Sequence, residues 1–160
     1  MAKKQGKVGV IGVGGMGGAD LQSVASHPKV EVGALCDADL ARLNGAKAKF
    51  PNAETYRDYR EMFAKLGDQI DAVVVSTPDH THAPAVMSAL NNNKPVYCQK
   101  PLTHDVFESR QLRKTAEAKK LPTQMGIQVH SSATYRRAVK MIQSGVIGRI
   151  SEVHAWSTKN

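Results

Sequence analysis

Val8-Gly9-Val10-Ile11-Gly12-Val13-Gly14-Gly15-Met16-Gly17 is the stretch on which the reading of the fold turns. Val8 to Val13 reads as a buried strand, and Met16 to Ser26 as a helix with Leu21, Val24 and Ala25 on one face and Pro28 just past its end. Between them stands a G-x-G-x-x-G string. Gly12 permits a tight turn, Gly14 lets backbone approach a pyrophosphate, and Gly17 lets helix and strand pack closely. The helix start then offers backbone N–H groups and the positive dipole end to phosphates. Alone, such a string also suits a plain structural turn. Here a second strand, Val30 to Cys36, ends at Asp37, which lies 20 residues beyond Gly17. That is the spacing of an acid that holds the ribose hydroxyls of a dinucleotide.

Outward from this unit the same rhythm continues. Helices are expected over Asp39–Phe50, Tyr59–Leu66, His82–Asn91, Thr103–Lys119 and Ala133–Ser144, with Thr103 or Asp105 capping the fourth. Strands are expected at Ala53–Tyr56, Ala72–Ser76, Pro95–Cys98 and Thr123–Ile127. Ala72-Val73-Val74-Val75 is continuously apolar, as a central parallel strand buried on both faces should be. The alternation predicts an α/β fold with a doubly wound parallel sheet and right-handed crossovers. Gly145 and Gly148 end the last helix, and Ile150 to Trp156 alternates like a half-buried strand. A strand trailing a complete sheet has no partner there, so it is expected to open a second domain. The expected domains are therefore residues 1–148, which bind the dinucleotide, and residues 149–160, the first strand of a further α+β domain.

Composition narrows the class. The chain has 160 residues, 41% hydrophobic and 22% charged, which is globular and large enough for its own core. Aromatics at 5% argue against base-stacking platforms, and the short apolar runs exclude a membrane helix. Cys36 and Cys98 make no disulfide framework and suit a reducing, cytoplasmic compartment. Met1-Ala2-Lys3-Lys4 resembles a basic signal-peptide start, but the stretch behind it is broken by glycines and is read as mature protein; an export signal removed ahead of residue 1 stays open. The net charge of +8 lies wholly in the second half: residues 1–80 hold 10 basic and 10 acidic side chains, residues 81–160 hold 12 and 4. Because the basic residues are scattered, an anionic ligand or another part of a larger protein is favoured over nucleic acid.

Three further features bear on chemistry. Asp37 accepts from both ribose hydroxyls and repels a 2′-phosphate, which favours NAD over NADP. Arg42, in the next helix, is either a solvated residue or a phosphate contact. The loop Ser76-Thr77-Pro78-Asp79-His80-Thr81-His82 leaves the central strand at its C-terminal end, where open α/β sheets bind ligands. His80 and His82 form H-x-H, but no ligand cluster accompanies them, so a cofactor-facing loop or a capped, solvated one is read in preference to a metal site. The third feature is Lys100 in Tyr97-Cys98-Gln99-Lys100-Pro101-Leu102. It is either a solvated lysine after a strand or, beside a nicotinamide, a group that holds a substrate hydroxyl or assists its deprotonation.

Together, Gly12 to Gly17, Asp37, Thr77 to His82, Asn93 to Leu102 and Ile142 to Ile150 resemble the glucose–fructose oxidoreductase/inositol dehydrogenase (Gfo/Idh/MocA) family, and specifically its N-terminal Rossmann domain. The resemblance implies the cofactor half of an NAD(P)-dependent oxidoreductase that moves hydride between a sugar, cyclitol or related polyol and the nicotinamide. It implies cofactor contacts from Gly12, Gly14, Gly15, Met16, Gly17, Asp37, Thr77, Pro78, His80, His82, Gln99 and Gln128, catalytic roles for Lys100 and His130, no metal, and a homo-oligomer. Gln99 departs from the family's glutamate before the lysine, and Gln128-Val129-His130 stands where many members carry an asparagine-arginine pair. The family's second domain supplies most of the substrate pocket, so the 160 residues alone are expected to be inactive. A stand-alone NAD-sensing or scaffold protein, an NAD-dependent redox-assisted glycosidase and a nucleic-acid module are the alternatives.

Overall fold

The computed structural model describes residues 5–156. The Met1–Lys4 segment discussed above lies outside them. Six parallel strands, β1 (Gly6–Ile11), β2 (Val30–Cys36), β3 (Glu54–Tyr56), β4 (Ala72–Val75), β5 (Val96–Gln99) and β6 (Thr123–Gly126), form one sheet in the order β3-β2-β1-β4-β5-β6. The chain winds outward from β1 to β3, returns to β4 and winds outward the other way. β1 and β4 therefore flank a topological switch point, which opens a crevice beyond their C-terminal ends.

Helices α1 (Met16–Ala25), α2 (Leu40–Lys49), α3 (Tyr59–Leu66), α4 (His82–Asn91) and α5 (Val106–Lys119) connect the strands. Alternate residues of the central strands enter different cores. Val8, Val10, Leu35 and Val74 pack with Leu21 of α1 and Leu43 and Ala46 of α2. Ile11, Ala34, Cys36, Val73 and Val75 pack with Met62, Phe63, Val86, Leu90 and Leu112 of α3, α4 and α5. This two-sided burial is why β4 reads as an unbroken apolar run. Helix starts are set by local acids: Asp39 and Asp58 accept from first-turn N–H groups, and Asp105 forms a capping box with Glu108. Asp105, rather than Thr103, is thus the cap of α5.

The chain divides into two compact units at Gly126/Ile127, short of the boundary expected at 148/149. The second unit contains a four-residue helix, α6 (Gln128–Ser131), and α7 (Ala133–Gln143), capped by Ser132. The strand expected over Ile150–Trp156 is not formed. Alternation supplies a face for a strand, but a strand also needs a neighbour to satisfy its backbone, and none pairs here among the described residues. Among the described residues no helix is long and apolar enough to cross a membrane.

Candidate active site

The C-terminal ends of β2, β1 and β4 are tied together beyond the sheet ladder. Gly12 N–H donates to the Cys36 carbonyl and Ser76 N–H to the Ile11 carbonyl, both at 2.8 Å. A cavity of about 500 Å³ opens above them, lined by Gly12, Gly14, Asp37, Arg42, Arg57 and Thr77 among others. A larger, mainly apolar groove lies between α4, α5 and the β5–β6 edge, against Leu90, Leu112 and Met125, away from the glycine turn and Asp37.

The turn can exist only with glycine. Gly12 has φ +86°, and a Cβ there would sit 2.5 Å from the Ser76 carbonyl oxygen. A Cβ on Gly17 would collide with the Gly12 carbonyl, because α1 starts directly against β1. Gly15, also at positive φ, has open space around it, so the backbone at the start of α1 can be approached. α1 has no acidic residue in its first turn and no side-chain cap. Across the turn stands Asp37. Its Oδ2 accepts the Val13 N–H at 2.9 Å and its Oδ1 the Asp39 N–H at 3.0 Å. A carboxylate has roughly four acceptor sites, so each oxygen keeps room for a further donor.

Arg42 lies over Gly14, where a Cβ would meet its Nε at 2.9 Å, and it pairs with Asp39 at 3.3 Å. Arg57, which the sequence did not single out, donates to the Ala38 carbonyl at 3.2 Å and lines the same cavity. Thr77 Oγ1 is buried without a hydrogen-bond partner, a polar atom that a ligand in this crevice would satisfy. The residues therefore fit a dinucleotide: a glycine cradle, an acid with acceptor capacity to spare, and an orphaned hydroxyl on the facing loop.

His80 is exposed and does not line the cavity. His82 is placed differently from its expected role as a cofactor contact. It is 1% exposed, with Nδ1 2.5 Å from the Pro101 carbonyl and Nε2 2.7 Å from the Thr77 carbonyl. Both ring nitrogens are occupied by backbone, so His82 is a strut joining the Thr77 loop to the Lys100 loop. Lys100 is exposed at the end of β5, and its peptide to Pro101 is cis. Gln99 is buried, and its amide nitrogen donates to Asp20 of α1, another residue the sequence did not flag. The only trace of Asp20 in sequence is an acid in a helix start otherwise built of small and apolar residues, Met16-Gly17-Gly18-Ala19-Asp20-Leu21. Gln128 and His130 belong to the second unit, where the His130 ring stacks on Tyr135 at 5.2 Å. Among the described residues no three His, Cys, Asp or Glu side chains gather as a metal site requires.

Comparison with known proteins agrees with this geometry. Residues 6–127 match the Gfo/Idh/MocA family, described as "Oxidoreductase family, NAD-binding Rossmann fold". The chain belongs to that family, and the first unit is its NAD-binding domain. Inositol 2-dehydrogenase of Rubrobacter xylanophilus is 31% identical over 151 residues, covering 93% of this chain and 43% of that protein. The inositol 2-dehydrogenase of Salmonella typhimurium is 30% identical over 152 residues, covering 92% and 44%. The myo-inositol 2-dehydrogenase structure from Lactobacillus plantarum superposes with a TM-score of 0.85 at 28% identity, covering 92% of this chain and 43% of that one. Scyllo-inositol dehydrogenase of Lactobacillus casei, solved with NAD(H) and scyllo-inositol, gives 0.84 at 27%, covering 92% and 44%. The chain thus spans less than half the length of these relatives.

Proposed function

We propose that this chain holds the cofactor of an NAD-dependent dehydrogenase acting on a cyclitol or related polyol. The observation that carries the reading is Asp37, an acid fixed at the end of β2 against the glycine turn with acceptor capacity left for two ribose hydroxyls. The same carboxylate disfavours a 2′-phosphate, hence NAD over NADP. The inositol dehydrogenases among the relatives support the substrate class.

When bound, NAD supplies a hydride acceptor. This chain's part is to hold it across the switch point and to present Lys100 at the end of β5. The Lys100 ammonium, on an exposed side chain, donates to the oxygen of the carbinol being oxidised and steadies the negative charge growing there. The hydroxyl proton leaves to a base; His130, on the second unit, is the further side chain to which this reading gives a catalytic role. In this reading residues 1–148 serve the cofactor and residues 149–160 open the part of the protein that serves the substrate. The basic excess of the second half suits association within a larger assembly. Exposed Met141, Ile142, Val146 and Ile147 support a homo-oligomer, and two free, buried cysteines support a cytoplasmic setting.

Calorimetric titration with NAD and NADP tests the cofactor, and saturation-transfer NMR with scyllo- and myo-inositol tests the substrate class. NAD should bind more tightly than NADP. Cyclitol signals should saturate only when NAD is present, and should weaken in Lys100→Ala. NADP binding as tight as NAD, or cyclitol binding indifferent to both NAD and Lys100, would overturn the reading.

A further inference from the structure

Asp20 of α1 is bonded to the residues at the C-terminal ends of β4 and β5, on the side of the switch point away from Asp37. Its Oδ2 accepts the Ser76 hydroxyl at 2.7 Å, and Gln99 Nε2 donates to both of its oxygens, at 2.9 and 2.8 Å. The amide orientation is forced, because a carboxylate can only accept and the amide must turn its NH₂ toward it. Gln99 is 4% exposed, and its oxygen accepts the Lys100 N–H at 3.3 Å. Gly126 at the end of β6 makes room for this arrangement, since a Cβ there would fall 3.0 Å from Gln99 Cδ. Two strand ends, those of β4 and β5, thus meet α1 at one carboxylate. Among the described residues no lysine or arginine lies within ion-pair distance of it. Its oxygens are met by neutral donors only, so its charge is not offset by a cation. Burial, and after it the charge of Asp20, push the neighbouring Tyr97 phenol upward from its ordinary pKa, as an uncompensated anion would.

A dinucleotide lies across the switch point with its adenosine ribose at the acid that follows β2. Asp37 occupies that place, which leaves the β4–β5 side to the nicotinamide half. Oxidised and reduced cofactor differ there by one positive charge on the ring. We propose that Asp20 sets the redox preference of this crevice: its fixed negative charge, held by Ser76 and Gln99, favours the cationic oxidised ring over the neutral reduced one. Asp20 is then a specificity-determining residue, distinct from the groups that touch the substrate. The inference rests on the NAD-binding reading above.

The test compares dissociation constants for NAD⁺ and NADH by calorimetry, at fixed salt, in the 160-residue chain. In Asp20→Asn the ratio Kd(NADH)/Kd(NAD⁺) should fall at least about fivefold, because only the cationic ring loses an attraction. Asp20→Asn/Gln99→Glu returns a carboxylate to the same pair, and the ratio should recover. Asp20→Ala/Gln99→Leu removes charge and amide together, so that neither of the two is left facing an unmatched partner in the other, and should reproduce the fall if Asp20→Asn does not fold. A role limited to holding the turn in shape predicts equal weakening of both forms in Asp20→Asn and an unchanged ratio. That result, or a ratio that the double swap fails to restore, would overturn the proposal. An unaltered chain that binds neither form would overturn the cofactor reading itself, and this inference with it.

Discussion

Asp37 is bonded to the turn it faces: its Oδ2 accepts the Val13 N–H at 2.9 Å, joining the end of β2 to the glycine loop after β1. One carboxylate fixes the turn and, in the proposed function, also offers acceptors to a ribose. Asp37→Ala removes both and should weaken NAD binding by about 1–3 kcal/mol, the cost of lost charged hydrogen bonds. Because Arg42 and Arg57 line the same cavity, NADP should lose less than NAD, and the gap between them should narrow. Calorimetric titration of both nucleotides checks this. Equal losses for NAD and NADP would mean that Asp37 only shapes the turn.

The glycines of this chain separate into those that are required and those that are merely present. Gly17→Ala drives a methyl into the Gly12 carbonyl, so backbone must shift; both stability and NAD affinity should drop. Gly45, inside α2, has open space where a Cβ would stand and no positive φ. Gly45→Ala should stabilise by about 0.5–1 kcal/mol, since alanine loses less backbone freedom on folding. Urea denaturation of the two variants should move the midpoint in opposite directions. A Gly17→Ala midpoint at or above that of the unaltered chain would refute the close-contact account.

His82 joins two loops that the sheet alone leaves separate. His82→Ala removes the ring that lies between the Thr77 and Pro101 carbonyls, and with it the N–H that one of them accepts, and should cost about 1–3 kcal/mol. The lysine loop should loosen with it, seen as faster hydrogen exchange at the Lys100 and Leu102 amides. Unchanged exchange there would show that the strut is dispensable.

Much of this was legible in the residues. The bounds of β2, α3 and α4 coincide with those expected, because Val30–Cys36 is mostly apolar and lies between Pro28 and Asp37, while Tyr59–Leu66 and His82–Asn91 combine apolar spacing with starts that follow loop residues. Asp37 was legible because its distance from Gly17 is fixed by one strand–helix–strand unit. Asp20 and Gln99 touch across 79 positions, and no local spacing encodes such a contact. His82 looked like a ligand-facing residue because an H-x-H string does not say which histidine the loop turns inward. Gln128–Ser131 escaped notice because four residues are too few to show a helical period. Ile150–Trp156 misled in the opposite sense: its alternation suggested a strand, yet pairing is a property of two segments and only one was read.

The two cysteines make the stability of this chain sensitive to alkali. Burial, reinforced by the charges of Asp58, Asp37 and Glu61, pushes the Cys36 thiol from its ordinary 9.0 up to about 12; burial alone takes Cys98 to about 12. Both thiols should stay protonated and resist thiol reagents while the protein is folded. In the unfolded chain they ionise near 9. Below that pH both states hold their thiol protons, and the stabilising contribution is fully present. As pH rises from about 9 toward about 12, the unfolded state releases protons that the folded state retains, so stability falls. The slope is up to about 1.4 kcal/mol per pH unit for each thiol. Tyr56, also raised to about 12 by burial and by Glu54, adds to the fall only above its ordinary 10.0. Urea denaturation under reducing conditions should show little change between about pH 7 and 8.5, then a steep loss by about pH 10, and the loss should be shallower in Cys36→Ala/Cys98→Ala. Parallel curves for the two proteins would mean that other groups carry the alkaline sensitivity.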